Sequence, residues 1–252
     1  MSNLTISVLT FVLLSGVALL CMYLQHHLME HHRDGDTAAA VSKIAGIFVV
    51  ITSLVFGFLI TSSKNTFESI DRNIHNYATE LILLDRLLRD YGSDASTARK
   101  ALQAYVEAAI AHPAETDELD SKKPDIAGHG LELLGNAIYA MRPSDSFHEQ
   151  MLADVRSEYR SVVRQRWIIV EESEGAIPTP IIAMLIAWLT IIFASYGYRA
   201  PKNAVVVSML LISALLISGS FYLVLDLGDP FIGPIRISYQ PYHRALSEIQ
   251  AP

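Results

Sequence analysis

The sequence holds a single cysteine, Cys21, inside an apolar segment, so it has neither a disulfide framework nor a cysteine metal site. Grouped Lys and Arg are also missing. The net charge is −7, and an acidic chain without a basic stripe is a poor partner for nucleic acid, because phosphate binding needs clustered cations. GxGxxG, Walker and HExxH motifs are absent, and no spacing of Ser, His and Asp singles out a triad. Nothing argues for an enzyme, and no catalytic residue is assigned.

The most informative scarcity is local: four stretches carry almost no charge. Residues 64–175 hold 13 of the 19 Lys+Arg and 20 of the 26 Asp+Glu, so this block carries the whole net charge. A helix needs about 20 mainly apolar residues to cross the hydrocarbon core. Residues 4–24, 41–62, 177–198 and 204–225 meet that test. No Lys or Arg precedes the first and no small-residue cleavage site follows it, so it reads as a retained anchor and not a signal peptide. Pro178 and Pro180 open the third, where a missing N–H costs little. Trp188 sits mid-span, while Tyr196 and Tyr198 suit an interfacial belt. The short turn from Arg199 through Pro201 and Lys202 forces the last two spans to run antiparallel.

The expected fold is an all-α membrane protein, with four transmembrane helices and a helical-bundle soluble domain between helices 2 and 3. Residues 1–63 hold helices 1 and 2, 64–175 the soluble bundle, 176–227 helices 3 and 4, and 228–252 a C-terminal tail. The lipid bilayer is the first partner this implies. Four spans put both termini and the soluble block on one side. Loop charge favours neither side. Arg33, Lys43, Arg199 and Lys202 outnumber Arg236 and Arg244 in the short segments, but adding the flanking Lys64, Arg72, Arg164 and Arg166 reverses the count.

Within the block, Phe67, Ile70, Ile74, Tyr77, Leu81, Leu84, Leu88 and Tyr91 recur in alternating steps of three and four, the a/d pattern of a coiled-coil seam. No breaker separates this run from the second span, so one helix from Val41 to Tyr91 is expected, roughly 75 Å long at 1.5 Å per residue. Gly92 ends it. Further helices are expected over 96–111, 125–141 and 146–173, the last opened by a capping box of Ser146 and Glu149. Residues 113–125 read as a solvated loop.

Three groups of residues could carry chemistry. Beyond the first span, His27 and His31 lie at i, i+4 with Glu30 beside them, a spacing that can chelate a divalent cation, with Asp34 in reserve. The alternative is a hydrated helix end at the headgroups. Four histidines there could also sense pH. On the second span, Ser42, Gly46, Ser53, Gly57 and Thr61 share one face. That stripe suits either close helix packing or a pore wall with Phe56 as a constriction. After the fourth span come Asp226, Asp229, Pro230, Phe231 and Gly233. A carboxylate at membrane depth is expensive and usually partnered, although both aspartates could simply cap a turn in the interface.

The order of these pieces resembles the bestrophin-like family of bacterial membrane proteins, formally a domain of unknown function. The resemblance spans nearly the whole chain and is most specific at Leu225-Asp226, at Asp229-Pro230-Phe231 with Gly233, and at Ile235-Arg236-Ile237-Ser238. Thr79-Glu80-Leu81 with Leu84 and Leu87 is similar to the family's Glu-Ala-x-x-Leu-x-x-Leu stretch, with Glu-Ala replaced here. Tyr105-Val106-Glu107 and the approach from Arg166 to Pro178 follow the family's order. Kinship with bestrophins implies an anion channel whose second helix lines the pore, a cytoplasmic helical domain, and residence in a bacterial inner membrane. It also implies a homo-oligomer passing small ions, because one four-helix protomer is too thin to hold a water-filled path. The seam at 67–91 is either a contact between copies or is satisfied within the protomer by the helix over 146–172. No cofactor is implied beyond the divalent cation considered at His27, Glu30 and His31. The alternative function is a membrane sensor or scaffold whose soluble domain binds a ligand or partner protein.

Overall fold

The computed structural model describes residues 3–24, 35–111, 126–173, 178–231 and 233–251. Among these it has eight α-helices and no strand: α1 (Asn3–Leu24), α2 (Gly35–Tyr91), α3 (Ser96–Ala111), α4 (Ile126–Ala140), α5 (Ser146–Ser173), α6 (Thr179–Arg199), α7 (Ala204–Gly228) and α8 (Gln240–Gln250). Four of them, α1, α2, α6 and α7, are long and apolar enough to cross a membrane. The all-α, four-span architecture expected from the sequence is the one observed.

The chain divides into two compact units. The first comprises Met1–Asn65 and Ala176–Gly228, the second Thr66–Gly175 and Asp229–Pro252. Helix α2 is continuous through residue 65 into 66, as its unbroken apolar periodicity requires. It ends at Gly92, whose φ of 98° is the left-handed backbone that glycine adopts without steric cost.

In the first unit α1 packs on α6 and α7. The amide of Asn3 donates to the Leu225 carbonyl at 3.3 Å, and Lys202 lies 5.6 Å from the Tyr23 ring. The two contacts run α1 antiparallel to α7, from the end of α7 to the turn that precedes it. The core gathers Leu14, Ala18, Leu59, Leu185, Phe193 and Phe221. Large side chains such as Leu54, Phe58, Val205 and Leu216 point outward, the inversion expected where the surrounding solvent is hydrocarbon.

In the second unit the heptad residues Ile70, Ile74, Tyr77, Leu81, Leu84, Leu88 and Tyr91 are all buried. Residues of α3, α4, α5 and α8 share their core. Of the two roles open to the seam, the structure shows the second: it is satisfied inside one protomer. Two further expectations change. The N-cap of α5 is Asp145, whose Oδ1 accepts the His148 backbone N–H at 2.8 Å, in place of the Ser146 capping box. The tail, for which the sequence suggested no helix, carries α8. Tyr242, Ala245 and Ile249 bury its inner face, and α8 packs on α3. The missed signal was that i, i+3, i+7 spacing in an otherwise polar segment.

Candidate pore-lining face and the buried acidic turn

At about 100° per residue the first half of α2 presents three faces. Ala45, Thr52, Leu59 and Ser63 are buried and form the packing face. Roughly 100° round the helix lie Ser42, Gly46, Ser53, Gly57 and Thr61, and every one of them is exposed. Beyond them Ile44, Ile47, Leu54 and Phe58 form an exposed apolar face. A Cβ built on Gly46 or Gly57 would meet nothing within 4 Å. Among the described residues nothing packs on the stripe at its two glycines. Val50 and Ile60 lie among its members, so the face mixes hydroxyls, bare backbone and methyl groups.

The hydroxyls on this face are turned inward. Ser53 donates to the Val49 carbonyl at 2.8 Å and Thr61 to the Gly57 carbonyl at 3.0 Å, which leaves lone pairs facing out. Thr52, on the buried face, has no hydrogen-bond partner for its hydroxyl among the described residues. Thr52 and Ser53 border a 280 Å³ cleft whose far wall is Leu189, Phe193 and Ile217. Phe56, the expected constriction, is half-buried, and its ring stacks on Phe221 with centroids 6.4 Å apart. Its place is the boundary between stripe and core.

Asp226 is almost fully buried near the end of α7, and the Tyr222 hydroxyl one turn earlier hydrogen-bonds its carboxylate. That bond supplies the partner a carboxylate in a membrane helix needs. The chain then turns. The Pro230 carbonyl accepts the Ile237 N–H at 2.9 Å, closing a loop in which Gly233 adopts φ 117°. Pro230 is buried, Phe231 half-buried against the soluble core, and Asp229 exposed. Asp226 and Asp229 therefore sit in opposite environments three residues apart. His27, Glu30 and His31 lie outside the described residues. Among those described, no group of three or more His, Cys, Asp or Glu side chains could hold a metal ion.

The second unit holds polar groups that sequence reading did not single out. Tyr77 and Tyr105 are buried and share a short hydrogen bond between their hydroxyls. Tyr242 of α8 meets the Tyr77 ring edge-on at 6.0 Å. Burial pushes both the Tyr77 and Tyr242 phenols well above their ordinary range, so they serve as neutral donors. Arg166 is buried beside them. Glu172 accepts from Asn73 at 2.8 Å and from Ser69 at 3.3 Å, tying α5 to α2.

The model of the bestrophin-like domain family matches residues 12–242, all but the two ends of the chain. The chain belongs to the bestrophin-like family. Family membership and the four long apolar helices make this a multi-pass membrane protein of a channel-type family. The fold is similar to that of a mutant bacterial bestrophin homologue from Klebsiella pneumoniae. The TM-score is 0.65 at 15% sequence identity, over 99% of this chain and 97% of that one. No curated protein matches the sequence.

Proposed function

We propose that this bestrophin-like protein assembles into a homo-oligomer that encloses an ion-conducting pore lined by the Ser42–Thr61 face of α2. One observation carries the reading. The two exposed faces of the span differ in chemistry, one made of Ile, Leu and Phe and the other of Ser, Gly and Thr interrupted only by Val50 and Ile60. A helix with lipid on every exposed side needs no such division. The apolar face suits acyl chains. The small, hydroxylated face suits water, with bare backbone at Gly46 and Gly57 leaving width for it.

Ion preference follows from family kinship, which points to anions. The orientation of Ser53 and Thr61 adds a condition, because an anion needs a donor and both protons are given to the helix's own carbonyls. Each hydroxyl must rotate as an anion passes.

The test is ion flux through purified protein in liposomes. Wild-type protein should conduct, Ser53→Trp should block, and Ser53→Asp should shift selectivity toward cations. Absence of flux across a range of pH, Ca²⁺ and voltage would sink the pore reading in favour of a sensor or scaffold.

A further inference from the structure

The first unit holds the 280 Å³ cleft among α2, α6 and α7. An apolar cavity of about 150 Å³ already accepts benzene, so this one has room for a ring and a few further carbons. Leu189 and Phe193 of α6 and Ile217 of α7 give it apolar walls, and none of the residues lining it is charged. An ionic guest would lose its hydration there and gain no counter-ion. The cleft therefore suits a neutral one.

The hydroxyls of the α2 wall narrow the guest further. Ser53 has spent its proton on the Val49 carbonyl at 2.8 Å, so to a guest it offers only lone pairs. Thr52, the next residue of the same wall, is 6% exposed, and its hydroxyl has no hydrogen-bond partner among the described residues. A buried hydroxyl without a partner is costly, and a guest that engages it is favoured. One unused acceptor and one unused donor thus stand side by side. A guest hydroxyl serves both, donating to Ser53 and accepting from Thr52. An ether serves only Thr52, and a hydrocarbon serves neither. The Phe193 ring in the facing wall favours an aromatic guest over an aliphatic alcohol.

We propose that the cleft among α2, α6 and α7 binds a small, neutral, membrane-soluble phenol, its ring between Leu189, Phe193 and Ile217 and its hydroxyl donated to Ser53 Oγ. Ser53 also belongs to the exposed stripe, so in a pore an occupied cleft would set a ring beside the water path and reduce flux. The binding itself does not rest on the pore reading, and labelling tests it without flux.

The experiment uses the full chain in phospholipid vesicles and a phenol carrying a trifluoromethyldiazirine, with the labelled residues read by mass spectrometry. Light should attach the probe saturably to residues of the cleft, Leu189 and Ile217 among them. Unlabelled ortho-isopropylphenol should compete, and its methyl ether should compete about threefold to tenfold less well. Ser53→Ala should bring the two competitors within about twofold of each other, because the acceptor that tells them apart is gone. Ser213→Phe, which fills the cleft from an exposed position, should abolish saturable labelling with an unchanged melting temperature. Labelling that never saturates, a methyl ether as effective as the phenol, or a preference that survives Ser53→Ala would each overturn the proposal. So would labelling in detergent but not in vesicles, which would give the cleft to an acyl chain, or labelling only of dissociated protomers, which would give it to a second copy.

Discussion

Arg99 of α3 donates its Nε–H to the buried carboxylate of Asp85 on α2 at 3.0 Å. The other carboxylate oxygen takes the Nε–H of Arg89 at 2.6 Å. Each arginine also turns one terminal nitrogen to the last turn of α8. Arg89 reaches the Glu248 and Ile249 carbonyls at 2.8 and 3.0 Å, and Arg99 reaches Ile249 at 3.3 Å. A helix C-terminus carries unsatisfied carbonyls and partial negative charge, so two cations there satisfy both demands. One buried acid thereby orients two bases that hold the tail.

Removing that acid should loosen the tail first. Asp85→Ala leaves two guanidiniums without their shared anion, a change that costs about 3–5 kcal/mol when the pair is fully buried. Both arginine side chains keep some solvent, 26% and 35%, so a cost below that range is expected, about 2–3 kcal/mol. Chemical unfolding in detergent gives the magnitude. Hydrogen exchange over 240–250 should rise more than exchange over 146–173. Equal rises would mean that the network does not specifically seat α8.

Glycines on the two sides of the membrane bundle should respond differently. At Gly197 a Cβ would land on the Ala18 carbonyl, so α1 and α6 touch through backbone. Gly197→Ala should cost about 1–3 kcal/mol or more, because neither helix can yield a side chain. Gly57→Ala faces open space in the protomer and should leave the thermal midpoint of isolated protomers unchanged. If Gly57→Ala breaks an oligomer apart, the stripe is a contact between copies and not a water path.

Acidification should relieve one strained pair. Burial pushes the Glu80 carboxyl above its ordinary 4.5, the neighbouring Glu158 charge pushes it further, and Arg164 draws it part of the way back. Burial raises Glu158 as well. A carboxyl raised on folding is most unfavourable when ionised, so the penalty is full above the folded pKa and fades as pH falls through it. Glu80→Gln should therefore stabilise the protein at neutral pH, and the gain should vanish as acid protonates wild-type Glu80. A gain independent of pH would exclude ionisation as its source.

Asp145 should behave in the reverse sense. Its hydrogen bonds from the His148 backbone and ring hold the carboxyl below its ordinary 3.8. A depressed carboxyl contributes stability above its unfolded pKa and loses it as pH falls through the folded value. Asp145→Ala should then lower the thermal midpoint at neutral pH and converge on wild type in strong acid. Ser146→Ala should have little effect, which separates the true cap from its neighbour.

The four spans were legible because the membrane demands long uncharged runs, a requirement that overrides local propensity. The boundaries of 96–111 and 146–173 agreed with α3 and α5, since Gly92, Pro113 and the run from Pro143 to Asp145 punctuate the chain clearly. The choice of cap, Asp145 or Ser146, depended on side-chain direction, which spacing does not report. Helix α8 escaped because its apolar residues are few and are matched by partners far away in sequence, Leu102 and Tyr105 among its core neighbours. Arg166 was legible only as a flanking charge and as the start of the approach to the third span, because one arginine in a charged helix looks like any other until its burial is known.

By itself the sequence determined that this chain is a four-span helical membrane protein of the bestrophin-like family with a soluble bundle between its second and third spans. Charge distribution, apolar length and the Asp226 to Gly233 turn are local properties, each readable from neighbours in the chain. Only the tertiary structure decided which faces are covered. It buried the 67–91 seam within the protomer and left the Ser42–Thr61 stripe open. It also buried Asp226 and placed Arg166 between a tyrosine cage and an outer groove. Periodicity says that a face exists, but what meets it depends on contacts between residues remote in sequence.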